Sequence, residues 1–327
     1  MPAYLLFILK RSIRLFLAVA KIMIPVMAIV QVAQAIGLVD LVGQLIAPAM
    51  GLLNLPPEAG IVWATTAFTG IYAGIAVLSA LAGSFDLTSA QLSALAAMML
   101  IAHGLPVEQA IVRRAGAGFL VTTALRVLTA IVYAATVGWV CQASGWLSEP
   151  VSLEWLTGSS LLSEPTGGIA GWLQTTAFSM AFTFIIITAL VLTLDIFERI
   201  GITRRFTSAM MPVLKVSGLN EQVAPVTTVG VLLGLTYGGA LIIEEAEKQQ
   251  FSARTRFLAL SWLSLSHSLI EDTLLLLALG ADIWIILVGR VLITLLIVAL
   301  LARITLHPWG GILLLKRGGA ASGQPAT

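Results

Sequence analysis

The chain has 327 residues, of which 58% are hydrophobic and only 10% are charged, and its mean hydropathy is +1.00. A soluble domain carries about a quarter charged residues, so this composition excludes a water-soluble enzyme and predicts an integral membrane protein in contact with the lipid bilayer. The formal net charge of +2 does not favour nucleic acid as a partner, and the single cysteine, Cys141, excludes a disulfide framework.

The first half of the chain is predicted to form five helical elements in order. They are a long apolar helix at 11–36, a short amphipathic segment at 38–53, a Gly/Thr-rich apolar segment at 57–83, a histidine-containing segment at 88–112, and a long apolar helix at 115–141. The second half repeats this order at 171–198, 202–216, 221–246, 252–277 and 281–305. The chain therefore reads as a duplication.

Matching residues at an almost constant spacing of 164 or 165 positions support the duplication. Arg126-Val127-Leu128 recurs as Arg290-Val291-Leu292, His103-x-Leu105 recurs as His267-x-Leu269, and Tyr72-x-Gly74 recurs as Tyr237-x-Gly239. The predicted organisation is a first repeat at 1–141, an extracytoplasmic linker at 142–169, a second repeat at 170–305 and a cytoplasmic tail at 306–327.

The distribution of Lys and Arg favours one topology. If segments 57–83 and 221–246 fold back as re-entrant hairpins, the basic residues outside the membrane all lie on one side. If these segments span the bilayer, Arg113, Arg114 and the cluster around Arg204 move outside, which the positive-inside rule disfavours. We therefore predict an all-α inverted repeat in a bacterial cytoplasmic (inner) membrane. Each repeat has three transmembrane helices, a re-entrant helical hairpin and an amphipathic connecting helix, and both termini are cytoplasmic.

The sequence His103-Gly104-Leu105-Pro106-Val107-Glu108 predicts a break in the first histidine-containing helix. Proline lacks an amide hydrogen and its ring clashes one turn back, so a helix arriving through Ala102 should stop or kink here. Freed backbone groups inside a membrane are tolerated where protein or a polar cavity satisfies them, which makes such a break a candidate ligand site. The alternative is that His103 and Glu108 lie at the cytoplasmic surface beside Arg113 and Arg114.

The second copy, from His267 to Thr273, lies within an apolar run that extends in both directions. Carboxylates in such a run are costly and are usually functional. Proline is absent here, so the break in this copy is inferred from the repeat. If the helix is instead intact, His267 and Glu271 share a face as an ordinary His–Glu pair.

Two further features recur in both repeats. The segments Thr69–Gly74 and Thr236–Gly239 combine glycine, hydroxyl groups and a tyrosine, and they suit either hairpin tips that bind a ligand or close helix packing. Arg126 and Arg290 lie in the middle of apolar helices. Each is expected to meet a carboxylate or a carbonyl in a structural role, with ligand contact as the alternative.

These motifs resemble the nucleoside-recognition, or Gate, domain family of membrane proteins. The resemblance rests on Thr-Gly-Ile-Tyr-Ala-Gly and Thr-Tyr-Gly-Gly, each followed by His-Gly-Leu-Pro-Val-Glu or His-Ser-Leu-Ile-Glu-Asp, and covers most of residues 15–305. Such domains occur in concentrative nucleoside transporters and in the membrane part of ferrous-iron transporter B proteins. The resemblance implies an elevator-like unit that encloses its substrate at Thr69, Gly70, Tyr72, His103, Glu108, Thr236, Tyr237, Gly239, His267, Ser268, Glu271 and Asp272.

We therefore expect a secondary transporter, not an enzyme, that moves a small polar solute (nucleoside-like or other) by alternating access with proton or sodium coupling. Glu108, Glu271 and Asp272 are candidate cation sites, and His103 and His267 are candidate relays or substrate ligands. No cofactor is expected beyond the coupling cation. Besides the lipid and the substrate, a second copy of the chain is a candidate partner.

One alternative is a permease for divalent metal ions or metal chelates, using both histidines with Glu271 and Asp272. Another is an accessory membrane subunit that does not transport.

Overall fold

The computed structural model of the chain describes residues 2–82, 86–157, 168–219, 223–235, 242–243 and 251–306. The described part is almost entirely helical. Its helices are α1 (Pro2–Ala35), α2 (Leu38–Leu52), α3 (Pro57–Thr69), α4 (Ile71–Leu81), α5 (Ser89–Ile101), α6 (Leu105–Arg114), α7 (Phe119–Ser144), α8 (Glu154–Thr157), α9 (Gly168–Arg199), α10 (Ile202–Val216), α11 (Ala224–Leu233), α12 (Ala253–Leu265), α13 (Glu271–Ala278) and α14 (Arg290–Ile304). A π-helical turn over Trp284–Gly289 leads directly into α14.

The predicted helical membrane protein is confirmed at this level. Within the described residues, four helical stretches are long and apolar enough to cross a membrane, namely Ser89–Arg114, Phe119–Ser144, Ile169–Phe197 and Trp284–Ile304. The departure from an all-helical chain is small. Two-residue strands β1 (Leu87–Thr88) and β2 (Pro150–Val151) pair antiparallel, which ties the start of α5 to the segment that follows α7.

The predicted Gly/Thr-rich segment 57–83 contains two helices that meet at Gly70. Gly70 has φ 128° and ψ 173°, a conformation that residues with a Cβ rarely adopt. Gly74 of α4 lies directly against Thr66 of α3, because a Cβ added at Gly74 would come within 1.8 Å of the Thr66 Oγ1 atom. Helices α3 and α4 therefore form a closely packed helical hairpin. Helix α11 ends at Gly234 with φ 99° and ψ 167°, 164 positions after Gly70.

The chain forms two compact units, each assembled from three stretches of sequence. Unit 1 contains Met1–Leu105, Leu128–Arg204 and Ile270–Arg290, and unit 2 contains Pro106–Val127, Arg205–Leu269 and Val291–Thr327. Unit 1 thus takes residues 270–290 from the predicted second repeat, and unit 2 takes residues 106–127 from the first. The predicted boundaries at 141, 169 and 305 concern the duplication of sequence and stay a prediction.

Helices α1, α4 and α9 pack together in unit 1. The rings of Phe16 and Phe184 meet edge to face at 5.3 Å between centroids. Near one end of the same pair of helices, the Tyr4 hydroxyl donates a 2.6 Å hydrogen bond to the Asp195 carboxylate. Helix α5 belongs to this unit too, and every residue of its second half is buried.

Unit 2 is built around α12, which is buried along its whole length from Phe257 to Leu265. Arg254 at the start of α12 donates from Nη2 to the Ala302 carbonyl of α14 at 2.8 Å. At the other end of α12, the hydroxyls of Ser266 and Thr294 lie 2.8 Å apart. These two contacts fix α12 antiparallel to α14, and they place the break that follows α12 beside the first turns of α14.

Candidate functional site: two broken helices

The first histidine-containing helix is broken where Pro106 predicts. Helix α5 ends at Ile101, Ala102 leaves the helical region with φ −134° and ψ 67°, and Gly104 has φ 53°. Pro106 is the second residue of α6. At this position its missing N–H would have no partner within the helix in any case, so proline starts the second arm without cost.

The second histidine-containing helix is also broken, without a proline. Ser266 has φ −144° and ψ 69°, and Ser268 has φ 47°, so the backbone of the first break recurs 164 positions later. A serine at positive φ is uncommon and costs about 1–2 kcal/mol. The helix is therefore interrupted between His267 and Glu271, and the spacing of an intact helix does not apply to this pair.

Each break is tied to an earlier helix of its own compact unit, the first break to α3 and the second to α11. In unit 1 the Gly104 amide donates to the Thr66 carbonyl at 3.0 Å, and in unit 2 the Leu269 amide donates to the Val231 carbonyl at 2.9 Å. Both donors and acceptors are 165 positions apart. Helices α3 and α11 thus satisfy one of the amides that each break releases, as buried backbone groups require.

In unit 2, three charged or titratable side chains meet at the second break. Arg126 of α7 contacts Glu108 of α6, with 2.5 Å between Nη1 and Oε2. The other carboxylate oxygen, Oε1, lies 3.2 Å from Nε2 of His267. Arg126 is fully buried, His267 is 2% exposed and the Glu108 side chain is 17% exposed. We call this cluster the unit 2 triad.

Two uncharged residues that the sequence did not single out, Thr122 and Gln109, lie next to members of the unit 2 triad on α7 and α6. The Thr122 hydroxyl lies 2.6 Å from Oε1 of Gln109, to which it can donate, and both residues are completely buried. Gln109 is adjacent to Glu108, and Thr122 is one turn before Arg126 on α7. The sequence could have pointed to Thr122, because it lies four residues before Arg126 and residues at this spacing share a helix face.

In unit 1, His103 at the first break lies near Asp272, which is the second residue of α13. The distance between His103 Nε2 and Asp272 Oδ2 is 3.9 Å. Arg290 is fully buried and donates from Nη2 to the Leu100 carbonyl of α5 at 2.9 Å. We call His103, Asp272 and Arg290 the unit 1 cluster. Arg126 thus contacts a carboxylate and Arg290 contacts a carbonyl, which are the two kinds of partner expected from the sequence.

Each site combines a histidine from one half of the sequence with an acid and an arginine from the other half. The unit 2 triad takes His267 from the second half and Glu108 and Arg126 from the first. The unit 1 cluster takes His103 from the first half and Asp272 and Arg290 from the second. Helix α6 follows the first break but belongs to unit 2 from Pro106 onward, and α13 follows the second break but belongs to unit 1. This explains why the units do not follow the order of the sequence.

The remaining candidates lie around these two sites or beyond the described residues. Thr69 is exposed at the end of α3, whereas Gly70 and Tyr72 are half-buried at the hairpin tip. Ser268 lies against Gly234, because a Cβ added at Gly234 would come within 2.9 Å of its hydroxyl oxygen. Glu271 is exposed at the start of α13. The predicted positions Thr236, Tyr237 and Gly239 fall outside the residues that the structure describes.

Comparison with known proteins agrees with the motifs. Residues 16–118 match the family model described as Gate, nucleoside recognition, a stretch that contains the first hairpin, His103 and Glu108. An uncharacterized membrane protein of Bacillus subtilis (strain 168), YvoD, is 27% identical over 290 residues, which cover 88% of this chain and 89% of that protein. No solved structure matches the chain. The resemblance to the Gate family is therefore confirmed, with residues 16–118 as the matching domain.

Proposed function

We propose that the chain is an inner-membrane secondary transporter for a small polar solute, that it works by alternating access, and that a proton or a sodium ion drives it. The substrate class includes nucleosides, for which the matching family is described, and other small polar molecules. The two broken helices would supply the binding groups, with inverted repeats and re-entrant hairpins around them.

The observation that carries this proposal is the burial of charge at both breaks. Arg126 and Arg290 are fully buried, and each lies in a stretch that is apolar enough to cross a membrane. A charged residue at the bilayer centre costs roughly 2.5 kcal/mol or more on insertion scales, and such residues usually mark ion or substrate pathways. A purely structural protein could replace each ionic group with an apolar side chain and avoid this cost.

The interrupted backbone supports the same function. A helix broken within the membrane leaves carbonyl and amide groups that must be satisfied by protein or by a polar cavity. One amide at each break is bound by a carbonyl of α3 or α11, and the histidines bind carbonyls of Met99 and Leu263 through Nδ1. The breaks are thus polar sites with defined geometry, as transporter sites built from discontinuous helices are.

Uptake into proteoliposomes tests the proposal. The purified chain would be supplied with labelled nucleosides, small carboxylates and divalent metal ions, under an imposed proton gradient or an imposed sodium gradient. We expect accumulation of one solute class that requires one of the two gradients. Glu108→Gln and Asp272→Asn should abolish this accumulation, because each removes the carboxylate of one site.

Matched controls are available outside the two sites. Glu149→Gln and Asp86→Asn make the same chemical changes at exposed positions and should leave uptake unchanged. Unaltered uptake and gradient dependence in both site variants would contradict the proposal. Uptake of divalent metal ions alone would favour the permease alternative, and absence of uptake for every solute would favour the accessory subunit.

A further inference from the structure

Arginines from three helices lie together at one end of unit 2. We call them the basic end of unit 2, and they are Arg113, Arg114, Arg254, Arg256 and Arg303. Arg254 joins the start of α12 to the end of α14, because its Nη2 donates to the Ala302 carbonyl at 2.8 Å. Arg256 joins the start of α12 to the turn between α6 and α7, since a Cβ added at Gly116 would come within 3.2 Å of its Nη1. These contacts bring the three helix ends together.

The basic end of unit 2 has no carboxylate partner in the described part of the chain. Arg113, Arg114 and Arg303 are exposed, and none of the five arginines forms an ion pair with a described residue. Within the described residues of unit 2 the one carboxylate is Glu108, near the start of α6, and it contacts Arg126. The other acids of this unit fall outside the described residues, and they are Glu221, Glu244, Glu245 and Glu247.

Two of the arginines are half-buried and differ in how their nitrogens are satisfied. Arg254 also donates from Nε to the Thr305 hydroxyl at 3.1 Å, so its guanidinium is fixed by α14. Nε of Arg256 is buried and has no hydrogen-bond partner among the residues that the structure describes. A buried donor without a partner is destabilising, and a bound acceptor removes this cost. The basic end of unit 2 therefore suits an anionic ligand.

Large apolar side chains are exposed close to these arginines. Leu120, in the first turn of α7, is 78% exposed, and Leu306, three residues after Arg303, is 72% exposed. A site for a soluble anion does not need exposed apolar surface. A lipid molecule offers a phosphate to the arginines and an acyl chain to the leucines, so this combination favours a lipid.

The candidate membrane spans place the basic end of unit 2 at the depth of lipid headgroups. The stretch Ser89–Arg114 ends at this end of the unit, Phe119–Ser144 begins here, and Trp284–Ile304 ends one residue after Arg303. Arginines at such positions lie where a helix leaves the hydrocarbon, and long basic side chains reach the headgroups from there.

Helix α10 gives independent support for this depth. Met210 and Leu214 of α10 are buried, whereas Lys215 is exposed, so the helix is amphipathic. Gly218, which follows α10, lies against α14, because a Cβ added there would come within 2.7 Å of the Ala302 side chain. Amphipathic helices that carry basic residues lie in the plane of the membrane interface.

We infer that the basic end of unit 2 binds the phosphate of an anionic phospholipid, with an acyl chain against Leu120 and Leu306. The guanidinium fork of arginine matches phosphate oxygens in pairs. Each Lys or Arg near an anionic membrane surface strengthens binding by about fivefold. The inference goes beyond the proposed transport and does not depend on it.

Native mass spectrometry of the purified full chain in detergent tests the inference. The chain would be titrated with phosphatidylglycerol and, separately, with phosphatidylcholine that has the same acyl chains, so that the headgroup alone differs. We expect phosphatidylglycerol to bind about tenfold more tightly or better, because several arginines face its net charge. Equal affinity for the two lipids would overturn the inference.

Paired variants locate the binding on the molecule. Arg113→Gln with Arg114→Gln removes two exposed charges and should weaken phosphatidylglycerol binding by about 25-fold. The matched control, Lys10→Gln with Arg14→Gln, removes two exposed charges from α1 in unit 1 and should weaken it by less than about twofold. Equal losses in the two double variants would show attraction to overall charge and overturn the site. Unchanged thermal unfolding in phosphatidylcholine shows that both double variants are folded.

Glycerol 3-phosphate distinguishes a lipid from a soluble anion, since it carries a phosphate without acyl chains. We expect it not to displace phosphatidylglycerol at equal concentration, because it cannot contact Leu120 and Leu306. Displacement at equal concentration would assign the basic end of unit 2 to a soluble phosphate compound and overturn the lipid assignment. Lipid binding is measured without a transported solute, so absence of uptake in proteoliposomes would contradict the transporter and leave this inference standing.

Discussion

The unit 1 cluster and the unit 2 triad contain equivalent residues, yet they differ in how closely these residues meet. Histidine and carboxylate are 3.2 Å apart in the triad and 3.9 Å apart in the cluster. The first break has Gly104 at positive φ and is followed by Pro106, whereas the second has Ser268 at positive φ and no proline. The two sites therefore share the same kinds of side chain but differ in the residues that interrupt the helix.

This difference shows that the break is a property of tertiary structure as much as of local sequence. Ser268 adopts an unfavourable backbone conformation without help from glycine or proline. The hydrogen bond from Leu269 to Val231 and the contact of His267 with Glu108 hold it there. Disrupting such contacts should affect the second break more than the first.

The largest effect is expected from Arg126→Gln. It removes the guanidinium that contacts Glu108 and leaves a carboxylate that is mostly buried, and breaking a buried pair in this way costs about 3–5 kcal/mol. The unfolding free energy should fall by that amount. Adding Glu108→Gln should recover part of the loss, because no carboxylate then lacks its partner.

A double-mutant cycle in detergent measures this coupling. Arg113→Gln is the matched control, since Arg113 is exposed on α6, and it should change the unfolding free energy by less than about 0.5 kcal/mol. Strictly additive losses in the double variant would show that Arg126 and Glu108 are not energetically coupled.

A smaller effect is expected when alanine replaces the glycine at the end of α3 or of α11. Gly70→Ala and Gly234→Ala both place a Cβ at positive φ, which costs roughly 1–3 kcal/mol. At Gly70 the added Cβ would meet open space, whereas at Gly234 it would lie 2.9 Å from the Ser268 hydroxyl oxygen. Gly234→Ala should therefore be the more destabilising of the two.

Thermal unfolding of the two glycine variants gives the comparison. Ser268→Gly in the Gly234→Ala background should remove the excess loss, because it deletes the hydroxyl that the new Cβ meets. Equal losses at Gly70 and Gly234 would mean that the contact with Ser268 does not constrain the end of α11.

The smallest effects are expected from substituting the residues that interrupt the two helices. Ser268→Gly should stabilise the chain by about 1 kcal/mol, and Gly104→Ser should destabilise it by a similar amount, because glycine tolerates positive φ. Pro106→Ala should lower stability by about 0.5 kcal/mol, through a more flexible unfolded chain, and leave the break in place. Unfolding midpoints measure all three, and a continuous helix through His103 in Pro106→Ala would assign the break to proline alone.

Much of the local structure could be predicted from the sequence. The long apolar runs and the positions of α2 and α10 follow from hydropathy, and the end of α5 follows from the chemistry of Pro106. The break before Glu271 could be inferred only from its likeness to the first repeat. Family resemblance was available from the paired Tyr-Gly and His motifs, and the match over residues 16–118 confirms it.

Which histidine meets which carboxylate could not be predicted in the same way. His267 and Glu108 are far apart in sequence, and they meet because α6, which follows the first break, belongs to the same compact unit as His267. Periodicity describes single helices and carries no information about such an exchange. The π-helical turn before Arg290 was also missed, because it is held by a distant hydrogen bond from Tyr133 to the Ile285 carbonyl.

The contact between His267 and Glu108 joins the second break to α6, and a dipolar recoupling experiment detects it through space. The chain would carry ¹⁵N in histidine rings and ¹³C in glutamate carboxyl groups, in bilayers. We expect a strong nitrogen–carbon coupling that disappears in both His267→Gln and Glu108→Gln and persists in Glu149→Gln. Absence of the coupling in the unaltered chain, or its survival in Glu108→Gln, would show that these two side chains do not meet.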